Sequence, residues 1–183
     1  MYYEAHEIEL KNGAKALFRS PCVDDAQELL DYLRKTSGET PYLLRTPEEC
    51  TLTLEEEKAI IEGWLSAPGE CHIVCEIGGR LAGACMFSRK TKNKNSHRAL
   101  LGIALLKAFW GLGIGTAMMN ELCRIARETG VEQIELEVIE GNERAMALYR
   151  KMGFTVTGAI PDAIRLADGT RLQEIYMVKR LGD

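Results

Sequence analysis

Residues 105–116 read Leu105-Leu106-Lys107-Ala108-Phe109-Trp110-Gly111-Leu112-Gly113-Ile114-Gly115-Thr116. An apolar run from about His97 to Leu106 enters this stretch as a predicted strand. The glycines at 111, 113 and 115 turn the chain, and an amphipathic helix leaves it, running to about Thr129. On that helix Met118, Leu122 and Ile125 form one ridge, flanked by Met119, Cys123 and Ala126, and Gly130 suits its C-terminal turn. Glycine tolerates a left-handed backbone and lets amides approach a ligand closely. A helix start leaves its first N–H groups unpaired and partly positive. The combination predicts a cradle for a phosphate or pyrophosphate. It is not a Walker A loop, which ends Gly-Lys-Ser/Thr, because Gly115-Thr116-Ala117 stands there. A Gly-x-Gly-x-x-Gly dinucleotide turn fails too: from Gly111 its last position is Thr116, and from Gly113 it is Met118. A turn of purely structural role remains compatible with these residues alone.

Outward from the turn, the chain alternates short strands and helices. Upstream, Ile8 to Phe18 reads as a hairpin turning at Asn12-Gly13. A helix follows from about Asp24 to Lys35, with Ala26, Leu29, Leu30 and Leu33 on one stripe, and Ser37-Gly38 is expected to end it. Thr53 and Glu56 make a capping box for a second helix whose apolar face is Ile60, Ile61, Trp64 and Leu65. Gly78-Gly79 joins two strands, Cys71 to Ile77 and Leu81 to Ser88. Downstream, Val131 to Ile139 is a strand. Asn142 caps a helix carrying Ala145, Leu148, Tyr149 and Met152 on one stripe, which Gly153 ends. Phe154 to Gly158 and Leu172 to Val178 close the chain as strands. A mixed α/β (α+β-like) fold is expected, as one domain over residues 1–183.

Composition narrows the classes. With 46% hydrophobic and 27% charged residues the chain is too apolar for disorder. A net charge of −4 disfavours a dedicated nucleic-acid binder. The basic loop of Lys90, Lys92 and Lys94, followed by Arg98, lacks interleaved aromatics and reads as a solvated hairpin rather than a nucleic-acid patch. The longest apolar run, Ala99 to Leu106, is far short of the ~20 residues of a membrane span, and Met1 to Glu7 carries no export-signal pattern. The six cysteines are scattered without a Cys-x-x-Cys pair, so reduced thiols, a cytoplasmic location and no metal site are expected.

A second block gives the glycine turn its meaning. Val138-Ile139-Glu140-Gly141-Asn142 leads into Ala145-Met146-Ala147-Leu148-Tyr149-Arg150-Lys151-Met152-Gly153-Phe154. Here the chain resembles the GNAT (GCN5-related N-acetyltransferase) superfamily. Asn142, Ala145, Leu148, Tyr149, Gly153 and Phe154 match its Asn-x-x-Ala-x-x-Leu-Tyr-x-x-x-Gly-Phe pattern. Gly113 and Gly115 match the last two positions of its Arg/Gln-x-x-Gly-x-Gly/Ala loop, while Trp110 replaces the first. The resemblance is sharpest from about Ala99 to Phe154 and implies a mostly antiparallel sheet of about six or seven strands. One parallel pair would be splayed at the cofactor site, with about four helices around the sheet.

The same resemblance implies an acetyl-CoA-dependent N-acetyltransferase acting by direct transfer in a ternary complex. The cofactor's pyrophosphate falls to the backbone across Trp110, Gly111, Leu112, Gly113, Ile114, Gly115 and Thr116, and its pantetheine arm to Leu105, Leu106, Asn142 and Ala145. An N–H near Leu106 is the implied oxyanion donor, a group worth roughly 2.7–4 kcal/mol. Tyr149 is the implied general acid, its ordinary pKa of about 10 letting it carry a proton at neutral pH. For the general base the candidates are His97, at the start of the central strand, and Glu137, near the end of the next; Glu140 lies close by. The acceptor would be a small-molecule amine or a protein N-terminus. The acidic stretch Glu48, Glu49, Glu55, Glu56, Glu57 and Glu62 either attracts a cationic amine or forms a solvated helix start. Arg165, Asp162 and Asp168 in the late hairpin would instead suit a carboxylate-bearing acceptor. A homodimer is compatible with this reading. The alternative is a catalytically weak acyl-CoA-binding sensor or partner-binding module.

Overall fold

The computed structural model describes residues 1–182. Its sheet has eight strands in the order β1-β2-β3-β4-β5-β6-β8-β7. The N-terminal hairpin contributes both its strands, β1 (His6–Glu9) and β2 (Lys15–Arg19), to one edge. β3 (Glu70–Ile77) and β4 (Arg80–Arg89) follow through the Gly78-Gly79 turn, where both glycines have positive φ. β5 (Arg98–Leu105) and β6 (Gln133–Ile139) form the one parallel pair, and β7 (Thr155–Arg165) and β8 (Arg171–Arg180) complete the other edge.

Helices cover both faces. α3 (Ile114–Glu128) and α4 (Glu143–Lys151) pack on one, burying Met118, Met119, Leu122, Met146 and Tyr149 against Phe18, Phe87 and Ile134. α1 (Ala26–Glu39) and α2 (Leu54–Ser66) cover half of the other face, burying Leu29, Tyr32 and Ile61 against Val74 and Leu81. The remaining half of that face, formed by β6 and β8, carries no helix among the described residues.

One interruption organises the molecule. β5 and β6 pair only at Arg98–Gln133, Ala99–Ile134 and Leu100–Glu135. Beyond Leu100 and Glu135 both strands continue in the same direction without pairing, so a wedge opens between them. β5 keeps its other neighbour, β4, as far as Gly83–Leu105.

Two boundaries and one buried face differ from the sequence reading. α1 runs through Ser37-Gly38 to Glu39, because Gly38 serves close packing rather than termination: a Cβ there would lie 3.3 Å from the Pro47 ring. α2 buries Ile61 fully, but Ile60 stays only half-buried and Glu57 takes a fully buried place. β7 does not stop at Gly158; it resumes after irregularities at Val156–Gly158 and Ile160–Ile164, where the edge position tolerates Pro161 and a positive φ at Asp162. The capping box forms as expected, with the Glu56 N–H donating to Thr53 Oγ1 and the Thr53 N–H to Glu56 Oε2 at 2.8 Å.

Candidate active site

The wedge opens onto a cleft of ≈ 710 Å3. Its floor is Ile103, Ala104 and Leu105 of β5, and one wall is the glycine turn leading into α3. α4 forms the other wall through Asn142, Ala145, Leu148 and Tyr149. Thr36, Thr40, Tyr42 and Leu43, from the end of α1 and the loop after it, form the roof. Tyr42 reaches across to the end of β6: a Cβ at Gly141 would lie 3.2 Å from its hydroxyl oxygen.

The glycine turn has the geometry of an anion cradle. Gly111 (φ 84°) and Gly113 (φ 92°) hold the left-handed backbone that a side chain would strain. The first helical bond of α3 runs from the Ala117 N–H to the Gly113 carbonyl, so the N–H groups of Ile114, Gly115 and Thr116 have no helical acceptor. A Cβ at Gly111 would meet no atom within 4 Å, which leaves open space above the turn. Gly115 is needed for packing instead: a Cβ there would lie 3.1 Å from Leu148. The side chains of Leu112 and Ile114 face the core, so these residues offer the cleft only backbone.

Three cations line the cleft, none of them marked by the sequence pattern. Lys11 lies in the β1–β2 turn, which docks on the glycine loop through a bond from its own N–H to the Leu112 carbonyl (3.3 Å). Its aliphatic stem passes over Gly113, with Cγ 3.4 Å from the site of a Cβ. Arg144 stands 4.7 Å above the Trp110 ring, and Lys151 lines the cleft from α4. Trp110, the departure from the usual pattern, is a structural anchor. Its indole N–H donates to the Leu105 carbonyl (2.9 Å) and fixes the end of β5.

The implied oxyanion donor moves by one residue. The Leu106 N–H already donates to the Ala82 carbonyl (3.0 Å), and the Leu106 side chain packs on the α1–α2 face, away from the cleft. Antiparallel alternation explains why. Lys90 donates to the Arg98 carbonyl and Leu106 to that of Ala82, so the even-numbered residues of β5 face β4. Leu105 then turns its N–H toward the wedge, where β6 no longer pairs with it.

Tyr149 is 7% exposed and lines the cleft, and its hydroxyl makes no hydrogen bond among the described residues. Burial pushes its pKa up to about 12. Asn142 caps α4, its Oδ1 accepting from the Ala145 N–H (3.2 Å), and also lines the cleft.

Neither candidate base lines the cleft, and both are exposed. His97 is exposed at the opposite end of β5 from Leu105, where only its backbone carbonyl is engaged, by Glu132 and Gln133. Eight residues of extended strand separate it from the wedge, on the order of 25 Å. The structure thus corrects the placement of His97 beside the chemistry. Glu137 stands on β6 just past the last β5–β6 pair, on the open sheet face, opposite Tyr176 of β8. Partial burial raises its pKa and Glu174 raises it further. Tyr176 donates to Glu174 Oε2 (2.8 Å).

None of the acidic stretch from 48 to 62 lines the cleft. Glu49 and Glu56 cap the turns that they begin, Glu55 pairs with Lys58, and Glu57 is buried. Asp168 closes its own hairpin by accepting from the Thr170 N–H (2.9 Å). Arg98 is bound to Glu135, so the basic loop carries one fewer free cation than its sequence counts. Among the described residues no helix is long and apolar enough to cross a membrane, and no group of three His, Cys, Asp or Glu side chains could hold a metal ion. The six cysteines are free thiols, and all but Cys22 are buried.

The bovine (Bos taurus) thialysine N-epsilon-acetyltransferase is 36% identical over 90 residues, covering 49% of this chain and 50% of that protein. Among solved structures, an acetyltransferase of the GNAT family from Streptococcus pneumoniae superposes with a TM-score of 0.85 at 25% identity, covering 90% of this chain and 99% of the other. A GNAT superfamily phosphinothricin acetyltransferase from Sinorhizobium meliloti, solved in complex with acetyl-CoA, shares the fold. Its TM-score is 0.78 at 21% identity, covering 91% and 89%. The chain spans between 50% and 69% of the length of the bovine enzyme and two bacterial N-acetyltransferases that it matches. The sequence model described as "Acetyltransferase (GNAT) family" matches residues 27–154. That match takes in the wedge, the glycine turn and α4 together, and the chain belongs to the GNAT acetyltransferase family.

Proposed function

We propose that this protein transfers an acetyl group from acetyl-CoA to a primary amine, on a small molecule or a protein N-terminus, within a ternary complex. The observation that carries this reading is the convergence on one cleft of an unpaired strand edge at Leu105, a backbone cradle with cations beside it and the Tyr149 hydroxyl. The Sinorhizobium meliloti neighbour, solved with acetyl-CoA, supports the choice of cofactor.

The chain's residues divide the work. Amides from Gly111 to Thr116 would hold the pyrophosphate, with Lys11, Arg144 and Lys151 adding charge around it. The free edge of β5 would take the pantetheine arm as an added strand. Acetyl-CoA supplies an activated thioester. The amine nitrogen forms its bond to the acetyl carbon as the carbon–sulfur bond breaks, and the Leu105 N–H faces the oxygen on which negative charge grows. Glu137 receives the amine's proton, and Tyr149 gives its own to the departing thiolate. With a pKa of about 12, Tyr149 keeps that proton throughout the physiological range.

The test is thiol release from acetyl-CoA across a panel of amines, amino acids and peptides. Amine-dependent release is expected. Tyr149→Phe should lower kcat by about 100-fold while cofactor affinity holds. Cofactor binding with no turnover on a broad panel would favour a sensor, and no cofactor binding would overturn the reading.

A further inference from the structure

β4 and β5 are paired at Ala84–Ala104, and a side chain bonds to both the Ala84 N–H and the Ala104 carbonyl of that step. The hydroxyl of Tyr32, reaching in from α1, stands between the two groups. It donates to the Ala104 carbonyl (2.7 Å) and accepts from the Ala84 N–H (3.0 Å). Tyr32 is 4% exposed, and burial holds its hydroxyl well above the usual phenol range, so it remains a donor at any working pH. A side-chain hydroxyl that bonds to both sides of one ladder step is unusual in a paired sheet. The peptide unit that it grips explains the arrangement.

In a trans peptide the carbonyl and the next N–H point in opposite directions. The carbonyl of Ala104 is held toward β4 by Tyr32, so the N–H of the same unit, that of Leu105, is aimed into the wedge. Donation to an amide oxygen also polarises that amide and strengthens its N–H as a donor. The following unit is fixed as well: the Leu105 carbonyl accepts from Trp110, and the Leu106 N–H donates to Ala82. α1 grips the strand exit a second time through Glu39, whose carboxylate accepts from the Lys107 N–H (2.6 Å). We propose that Tyr32 is a positioning residue for acetyl transfer, acting through the Ala104–Leu105 peptide to orient and strengthen the N–H that faces the thioester oxygen. This inference rests on the acetyl-CoA reading above.

The experiment compares the wild type with Tyr32→Phe and with 3-fluorotyrosine at position 32, whose hydroxyl is more acidic. Acetyl-CoA affinity, kcat with a saturating amine, and the carbonyl stretch of bound [1-13C]acetyl-CoA are measured together. Tyr32→Phe is expected to lower kcat by about 10- to 100-fold, part of the loss known for removing such a donor outright. Affinity should hold within about threefold, while the carbonyl band moves toward its position in free acetyl-CoA. Fluorotyrosine should move the band the other way, and it decides the matter if the phenylalanine variant does not fold. A band unmoved in both variants would overturn the proposal, as would a Tyr32→Phe kcat equal to wild type. Failure of the wild type to bind acetyl-CoA would remove the cofactor reading itself, and the proposal with it. That result is distinguished by the wild-type titration alone.

Discussion

The cradle and the open sheet face are built from different materials. The cradle end is backbone: Gly111 and Gly113 in left-handed conformations, and three amides at the start of α3 without helical acceptors. The roof and the open sheet face are side chains brought from distant segments, with Tyr42 from the loop after α1, Glu137 from β6 and Glu174 and Tyr176 from β8. A site made of backbone needs particular residues at fixed spacing, because only glycine adopts those dihedrals at no cost. A site made of side chains needs only the fold to bring them together. The first end should therefore answer sharply to single substitutions in the loop, and the second more gradually and through pH.

Gly113→Val strikes the backbone end hardest. A β-branched residue at φ 92° is strained, and its Cβ would lie in contact with the Lys11 stem at 3.4 Å. Acetyl-CoA affinity by calorimetry should fall by roughly 10- to 100-fold, the equivalent of the 1–3 kcal/mol that such strain costs. Unchanged affinity would remove the cradle from the account. Lys11→Ala tests whether side-chain charge supplements that backbone. A loss of about fivefold is expected, shrinking as salt is raised, since the amine is exposed to screening. A loss as large as that of Gly113→Val would mean that the cradle is not principally backbone. Glu174→Gln probes the side-chain end and should have the smallest effect. Glu137 must be ionised to accept a proton, so rate rises with pH through its pKa, which burial and Glu174 raise. Removing the Glu174 charge should shift that rising limb to lower pH and leave the plateau nearly unchanged. A shift to higher pH, or none, would dissociate Glu137 from the base role.

The same division explains which features are legible in the sequence. The glycine turn, the Asn142 cap, the capping box of α2 and the Gly78-Gly79 hairpin depend on near neighbours in the chain, so their residues announce them. Tyr149 is legible through the motif around it. Lys11 is not, since nothing around Asn12-Gly13 says that this turn will dock on a loop about a hundred residues later. Tyr32 is hidden for a similar reason: in its helix it counts as one more core residue, and its role exists only where Ala84 meets Ala104. His97 misleads because the sequence locates the ends of a strand but not which end is splayed. The N–H that faces the wedge falls one residue away from Leu106 because ladder alternation is set by the pairing with β4, which no local pattern specifies.

The central claim is that acetyl-CoA lies along the unpaired edge of β5 with its phosphates on the glycine turn. An amide-resolved NMR titration of the 15N-labelled protein with acetyl-CoA tests it most directly. The expected result is large, saturable shifts at Leu105 and from Gly111 to Thr116, with the Leu106 amide, already bonded to Ala82, much less affected. Saturable binding that leaves Leu105 and the glycine amides unmoved, with shifts elsewhere on the molecule, would contradict it.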